Sequence, residues 1–165
     1  MYKRQEQLEY QGQTIDISGE WPSIPMTEIV SKALGEEVTL DTPVSHLAEV
    51  AKKNGIEVKP EWTAGKLIAE LYDEIGEPTI VNPTFVVDYP VEVSPLAKRF
   101  EDDPRLTDRF ELVIAGHEYA NAFSELNDPV DQAERFQKQM GYKQTGNITV
   151  SQMRALFKSS CPQCT

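Results

Sequence analysis

Nineteen residues constrain this chain more than any others. From Phe110 to Asp128 it reads FELVIAGHEYANAFSELND, two β-prone runs around Ala115-Gly116-His117 that predict a hairpin with arms Phe110 to Ile114 and Tyr119 to Leu126. Four carboxylates, Glu111, Glu118, Glu125 and Asp128, fall on or beside that hairpin. Glu125 stands between Phe123 and Leu126, where an unpaired buried charge would cost several kcal/mol, so a cationic partner is expected. A bound metal, Arg or Lys side chains from elsewhere in the chain, or a cationic substrate would each serve.

Strand alternation divides the second arm into two faces. Tyr119, Asn121, Phe123 and Glu125 lie on one, and the small Ala120, Ala122 and Ser124 on the other. An amide, an apolar wall and a terminal carboxylate suit an amino acid whose apolar stem ends in a cation, as lysine does. On the first arm Glu111 shares a face with Val113, opposite Phe110, Leu112 and Ile114. Glu118 is out of phase with Asn121, so either a bulge intervenes or Glu118 belongs to the turn. Two glutamates brought together across a hairpin repel unless neutralised, either by Mg²⁺ with phosphate oxygens or by Arg99, Arg105 or Arg109. His117 reads as a polar turn residue and His46 as an exposed helix residue. Neither a nucleophile motif nor a Gly-rich phosphate loop is present.

Upstream, Leu8 to Ile17 predicts a short hairpin around Gly12, and the prolines of WPSIPM predict an extended run. Three scaffold helices follow. The first has Thr27 as N-cap and Gly35 as its stop, the second runs from Val44 to Lys53 and ends at Asn54-Gly55, and the third is capped by Thr63 and carries the stripe Leu67, Ile68, Leu71, Tyr72 and Ile75. From Pro78 the pattern turns to β: Thr79 to Val81, then Thr84 to Asp88, an interruption at Tyr89-Pro90, and Val91 to Ser94 extended. Lys98 to Asp108 reads as a loop. Pro129 opens a charged helix, Val130 to Met140, with Ala133 and Phe136 facing inward, and Val150 to Phe157 predicts a short helix.

The 165 residues fit one domain, with a formal charge of -11 that disfavours broad nucleic-acid contact. With neither an 18-residue apolar run nor a hydrophobic leader, a cytoplasmic protein without membrane contact is expected. Cys161 and Cys164 form a CxxC pair in a tail, without the second pair a zinc site needs or the strand-to-helix setting of a redox motif.

The run from Asn82 to Phe136 closely resembles the catalytic domain of class II lysyl-tRNA synthetases, through PTF, PVEVSPLAK, LTDRFEL and NAFSELNDP. YQGQTIDISGEW and EWTAGKLIAELYDEI extend the resemblance upstream, to roughly residues 8 to 139. It implies an α+β fold, part of the class II antiparallel sheet with an N-terminal group of helices. It also implies that Glu111 and Glu118 bind ATP phosphates through Mg²⁺, with Asn121 on the ATP side as well. Asn121, Phe123 and Glu125 would line the lysine pocket, Glu125 facing the substrate ammonium. The implied parent reaction is ATP-dependent activation of lysine and its transfer to tRNA. Motifs 1, 2 and 3 of the family, with their arginines, and the anticodon-binding domain are not among these residues. The chain alone is therefore expected to be inactive, to contribute no catalytic group of its own, and to meet tRNA only through parts it lacks. The other expectation is a non-catalytic fragment that binds lysine or its adenylate weakly, self-associates, or pairs with a full-length synthetase. Residues 1–140 would form the partial catalytic domain and 141–165 a tail without the resemblance.

Overall fold

The computed structural model describes residues 6–141, with side chains described to residue 137. The CxxC pair and the helix expected over 150–157 lie outside the described residues. Residues up to Glu125 and those from Leu126 onward form two units. The first is an α+β unit, a four-stranded sheet with three helices packed on one face, as expected from the sequence.

Strand β1 (Gln7–Tyr10) and β2 (Gln13–Asp16) form the expected hairpin, and Asn82 Oδ1 accepts a hydrogen bond from Asp16 N at 2.9 Å. The proline-flanked β3 (Ser23–Pro25) runs parallel to β4 (Thr84–Pro90). Strands β4, β5 (Leu106–Ile114) and β6 (His117–Phe123) follow antiparallel, so the sheet order is β3-β4-β5-β6 with β6 at the edge.

Helix α1 (Met26–Leu34) begins directly after Pro25, two residues earlier than Thr27 as N-cap would allow; Gly35 closes it at φ 71°. Proline fixes φ in a helix-compatible range and leads the chain straight from β3 into the helix. Helix α2 (Val44–Lys53) has the expected bounds. In α3 (Ala64–Leu71) the Thr63 side chain accepts from Lys66 N, as expected of a cap. The apolar stripe continues beyond α3 in a wider turn, Tyr72–Gly76, with five-residue hydrogen-bond spacing.

The core lies between the helices and one sheet face. Val30, Leu47, Leu67, Ile68 and Leu71 from the helices meet Val86, Tyr89 and Val113 from the sheet, all almost fully buried. Gly65 lets α3 come close to the sheet's margin. A Cβ there would stand 2.8 Å from Pro90 Cβ and 2.6 Å from Glu92 Oε2, and Thr63 Oγ1 donates to Glu92 Oε1 at 3.1 Å. That contact anchors the short 3₁₀ turn Val91–Val93, which replaces the extended segment expected there. Thr79 to Val81 is likewise not a strand, because Glu77–Thr79 forms another 3₁₀ turn.

The second unit contains α4 (Pro129–Gly141), which starts at the expected proline. Asp128 Oδ1 accepts from Val130 N at 2.8 Å and Asp131 N at 3.3 Å. Asp128 is thus a helix cap, and its place beside the three glutamates in sequence has this local cause. Among the described residues, no helix is long and apolar enough to cross a membrane.

Candidate functional site

The β5–β6 hairpin turns on two residues, Ala115 at φ 51° and Gly116 at φ 68°, and His117 is already the first residue of β6. Two consecutive positive φ values match the twist of a hairpin. The tip is fixed by Ala115 N to Val81 O at 2.9 Å and Gly116 N to Ile80 O at 2.7 Å.

From that tip the register shifts. Val113 pairs with Glu118, but Leu112 pairs with Ala120, which leaves Tyr119 as the extra residue of a bulge. Strict alternation therefore fails at Tyr119, which does not belong to the row of Asn121 and Phe123. Its displacement brings Glu118 into phase with Asn121. The resulting rows across the sheet are Val86, Glu111 and Asn121, then Thr84, Val113 and Glu118. Arg109 pairs with Phe123 next to them. Glu111, Glu118, Asn121 and Phe123 consequently share the face that carries the core further in.

A second irregularity lies on the other side of β5. The β4–β5 register shifts between Val87 and Tyr89, and Asp88 between them adopts φ 60°. Asp is among the residues that tolerate this left-handed backbone. Tyr89 would alternate with Phe85 and Val87 in a regular strand; here it meets Glu111 instead. Tyr89-Pro90 is thus part of β4, not an interruption of it.

Glu111 is only 6% exposed. Its Oε2 accepts from Tyr89 Oη at 2.7 Å, and its Oε1 from Asn121 Nδ2 at 3.0 Å and from Arg109 Nη2. Arg109 in turn donates from Nη1 to Val93 O and Ser94 Oγ, both at 3.0 Å, and from Nε to Asn121 Oδ1 at 3.3 Å. Its guanidinium carbon lies 4.4 Å from the Tyr89 ring centroid. Burial, with Tyr72 and Glu111 adding to it, pushes the Tyr89 hydroxyl far above its ordinary value. The hydroxyl stays protonated and donates. Tyr72 packs edge-on to Tyr89, with its own hydroxyl buried and without a hydrogen-bond partner among the described residues.

Of the three arginines that could neutralise the acids, Arg109 does so, for Glu111 alone. Arg105 pairs with Asp103 and Asp41, and Arg99 Nη1 donates to Pro104 O. Glu118 is exposed and makes neither an ion pair nor a hydrogen bond among the described residues. Glu125 is exposed too, its backbone bridged to Ala97, so the desolvation cost expected from its apolar neighbours does not arise. Asn121 and Phe123 lie on the exposed edge strand.

Negative potential accumulates around this face. Burial first, then Asp73, Glu111 and Glu118, hold the Glu77 carboxyl above its ordinary value, with His117 opposing. An acid whose folded-state pKa is raised penalises the fold when ionised, and the penalty lifts as pH falls through that raised value. Glu77→Gln is therefore expected to stabilise the chain at pH 7, with the gain shrinking toward zero as pH approaches the ordinary glutamate range. Thermal unfolding of both proteins across that interval checks the sign.

The hard oxygen donors Glu111 and Glu118 on one face fit a divalent cation, though no group of three or more potential metal ligands is assembled among the described residues. Mg²⁺ commonly takes one or two carboxylates and completes its shell with water and phosphate oxygens, which this pair permits.

Tyr89 and Arg109 are the residues that sequence reasoning undervalued. The sequence carries no signal for Tyr89, whose phase is changed by the positive-φ residue Asp88.

A family model for class II tRNA synthetases (D, K and N) matches residues 2–165. The lysine--tRNA ligase of Bacillus subtilis (strain 168) is 44% identical over 140 residues, 85% of this chain and 28% of the relative. That of Carboxydothermus hydrogenoformans is 49% identical over 142 residues, 86% and 29% respectively. The Magnetococcus marinus ligase is 44% identical over 138 residues, 84% and 28%. The chain spans less than a third of the length of these curated relatives. With its α+β fold and the family match running through both strands of the acidic hairpin, this chain belongs to the class II tRNA synthetases of the D, K and N group.

Proposed function

We propose that this chain supplies the acidic half of a lysine-activating site, in which ATP and lysine form lysyl-adenylate and pyrophosphate before the lysyl group passes to tRNA. The observation that carries this reading is the placement of Glu111, Glu118, Asn121 and Phe123 on one sheet face, together with the lysine--tRNA ligase names of its relatives. Glu111 and Glu118 would hold Mg²⁺ against the ATP phosphates. The bound ion would supply positive charge to the phosphate oxygens as they change partners. Asn121 would orient the amino acid and the nucleotide, Phe123 would pack on the aliphatic stem, and Glu125 would face the ε-ammonium. Exposure of Asn121, Phe123 and Glu125 leaves them accessible for this.

Lysine binding tests the reading. Calorimetric titration is expected to detect lysine but not norleucine, which has the same stem without the ammonium, and Glu125→Gln is expected to weaken lysine at least about tenfold. Equal binding of the two amino acids would contradict it. The chain alone is expected to give no lysine-dependent ATP–pyrophosphate exchange, because the family's motif 2 and motif 3 arginines are not among its residues and such groups stabilise the transition state by several kcal/mol.

One observation favours a second reading, a non-catalytic chain that associates with itself or with a full-length synthetase. Among the described residues β6 forms a sheet edge with all seven of its residues exposed, Tyr119 and Phe123 among them, and Phe110 is exposed on the neighbouring β5. Open edges of this kind template pairing with another strand. Sedimentation with and without added full-length lysyl-tRNA synthetase distinguishes the two: a monomer indifferent to the synthetase removes this reading.

A further inference from the structure

Glu111 is the most deeply placed acid of the proposed site, and three of its roughly four acceptor sites are directed at protein groups, with Oε1 filled by two donors. Oε1 takes Arg109 and Asn121, and Oε2 takes Tyr89. Asn121 is engaged through both ends of its amide, donating to Glu111 and accepting from Arg109 Nε. Two of the groups assigned above to nucleotide and lysine thus form a closed circuit around one guanidinium. Glu118, the other carboxylate, is outside the circuit and exposed.

The guanidinium is held from behind. Val93 O and Ser94 Oγ accept from Nη1, and the 3₁₀ turn presenting Val93 is anchored on α3 through Thr63, Gly65 and Glu92. Below it lies the Tyr89 ring, brought there by the positive-φ turn at Asp88. Such a cation has a fixed seat to which it remains tied when its carboxylate is taken. A Mg²⁺ ion at Oε1 needs the lone pairs that Arg109 and Asn121 now occupy, and two cations on one buried carboxylate oxygen repel.

We infer that Arg109 is the resident counter-cation of Glu111, which a divalent cation displaces by binding at Oε1, and that Tyr89 is the positioning residue holding both in register. The buried carboxylate has a cationic partner in either state, first arginine and then metal. Turning Arg109 away from Oε1 within its seat also loosens the contact of its Nε to the Asn121 carbonyl, so cation binding and preparation of the amino-acid side are coupled through one side chain. The inference rests on the reading that Glu111 and Glu118 take the cation.

The probe is Mg²⁺ alone, added to the full 165-residue chain and followed by NMR at the Glu118 and Asn121 amides and at the Arg109 Nε–H. The Arg109 Nε–H is expected to lose its protection from solvent exchange in step with the Glu118 shift. Arg109→Gln, which keeps a short donor toward Glu111 but no charge, is expected to bind Mg²⁺ about tenfold tighter. Tyr89→Phe, keeping the ring and losing the hydroxyl, is expected to speed Arg109 Nε–H exchange severalfold before any Mg²⁺ is added. The unsubstituted chain decides the matter if Arg109→Gln fails to fold. Shifts at Glu118 and Asn121 with an undisturbed Arg109 Nε–H would overturn the inference and leave the site reading standing. A folded chain in which none of these groups responds would remove both.

Discussion

Arg109→Ala is expected to destabilise the chain by about 3–5 kcal/mol, a large part of the stability of an ordinary domain. The side chains of Arg109 and Glu111 are 18% and 8% exposed, so water can do little to replace either partner. Removing the guanidinium leaves a buried carboxylate with only two neutral donors, Tyr89 Oη and Asn121 Nδ2. It also removes the donor that Nη1 supplies to Val93 O and Ser94 Oγ. The cost is that of a broken pair and not a measure of what the pair adds over apolar packing. Arg109→Met combined with Glu111→Leu is accordingly expected to recover much of the loss, since no charge remains buried. Urea unfolding of the two single and the double variants checks this. Single effects that sum to the double within about 0.5 kcal/mol would mean the two side chains are energetically independent, contrary to their geometry.

Leu67→Ala is expected to cost about 2–5 kcal/mol. Leu67 is fully buried on α3, in the layer that joins α1 and α2 to Val86, Tyr89 and Val113 of the sheet. Neighbouring Gly65 already brings the helix close to the sheet, with Pro90 Cβ only 2.8 Å from where a Cβ would stand, so the helix has little room to settle inward. A cavity at position 67 should therefore persist rather than collapse. The urea midpoint is expected to fall at constant m-value. Val44→Ala, at the 44% exposed start of α2, should change stability by less than about 0.5 kcal/mol. A comparable loss at both positions would show that the helical layer does not pack on the sheet as described.

Local chemistry explains why the helices and both hairpins were legible. Gly35 and Asn54-Gly55 are stop signals that act within a single turn, and Thr63 caps α3 through its own side chain. The place of the hairpin tip was legible from Gly116, but its length was not, since a three-residue turn through His117 was expected and Ala115 takes a positive φ that its side chain does not signal. The two 3₁₀ turns, Glu77–Thr79 and Val91–Val93, were not legible, since β-branched residues favour strands only where a neighbouring strand is available to pair. Position within the site was harder still. Alternation alone cannot tell whether Glu118 joins Asn121, because the answer depends on a bulge at Tyr119 that changes the phase of everything beyond it. The mismatch between Glu118 and Asn121 did announce that bulge. Tyr89 was lost by the same effect in reverse, its phase altered at Asp88 without a mismatch of polar residues to mark it. Arg109 could be named as a partner but not chosen over Arg99 and Arg105, for the choice is made by Val93, Ser94 and Tyr89, which are distant in sequence.

The central claim is that the face carrying Glu111, Glu118, Asn121 and Phe123 is a ligand-reading surface and not only a packed one. It is tested most directly by the two-dimensional amide spectrum of the chain, recorded alone and then with Mg²⁺ and a non-hydrolysable lysyl-adenylate analogue. The account predicts dispersed signals in which Glu111, Glu118, Asn121, Phe123 and Glu125 shift together, while residues of α1 and α2 stay fixed. A dispersed spectrum in which these five residues ignore the analogue would contradict it.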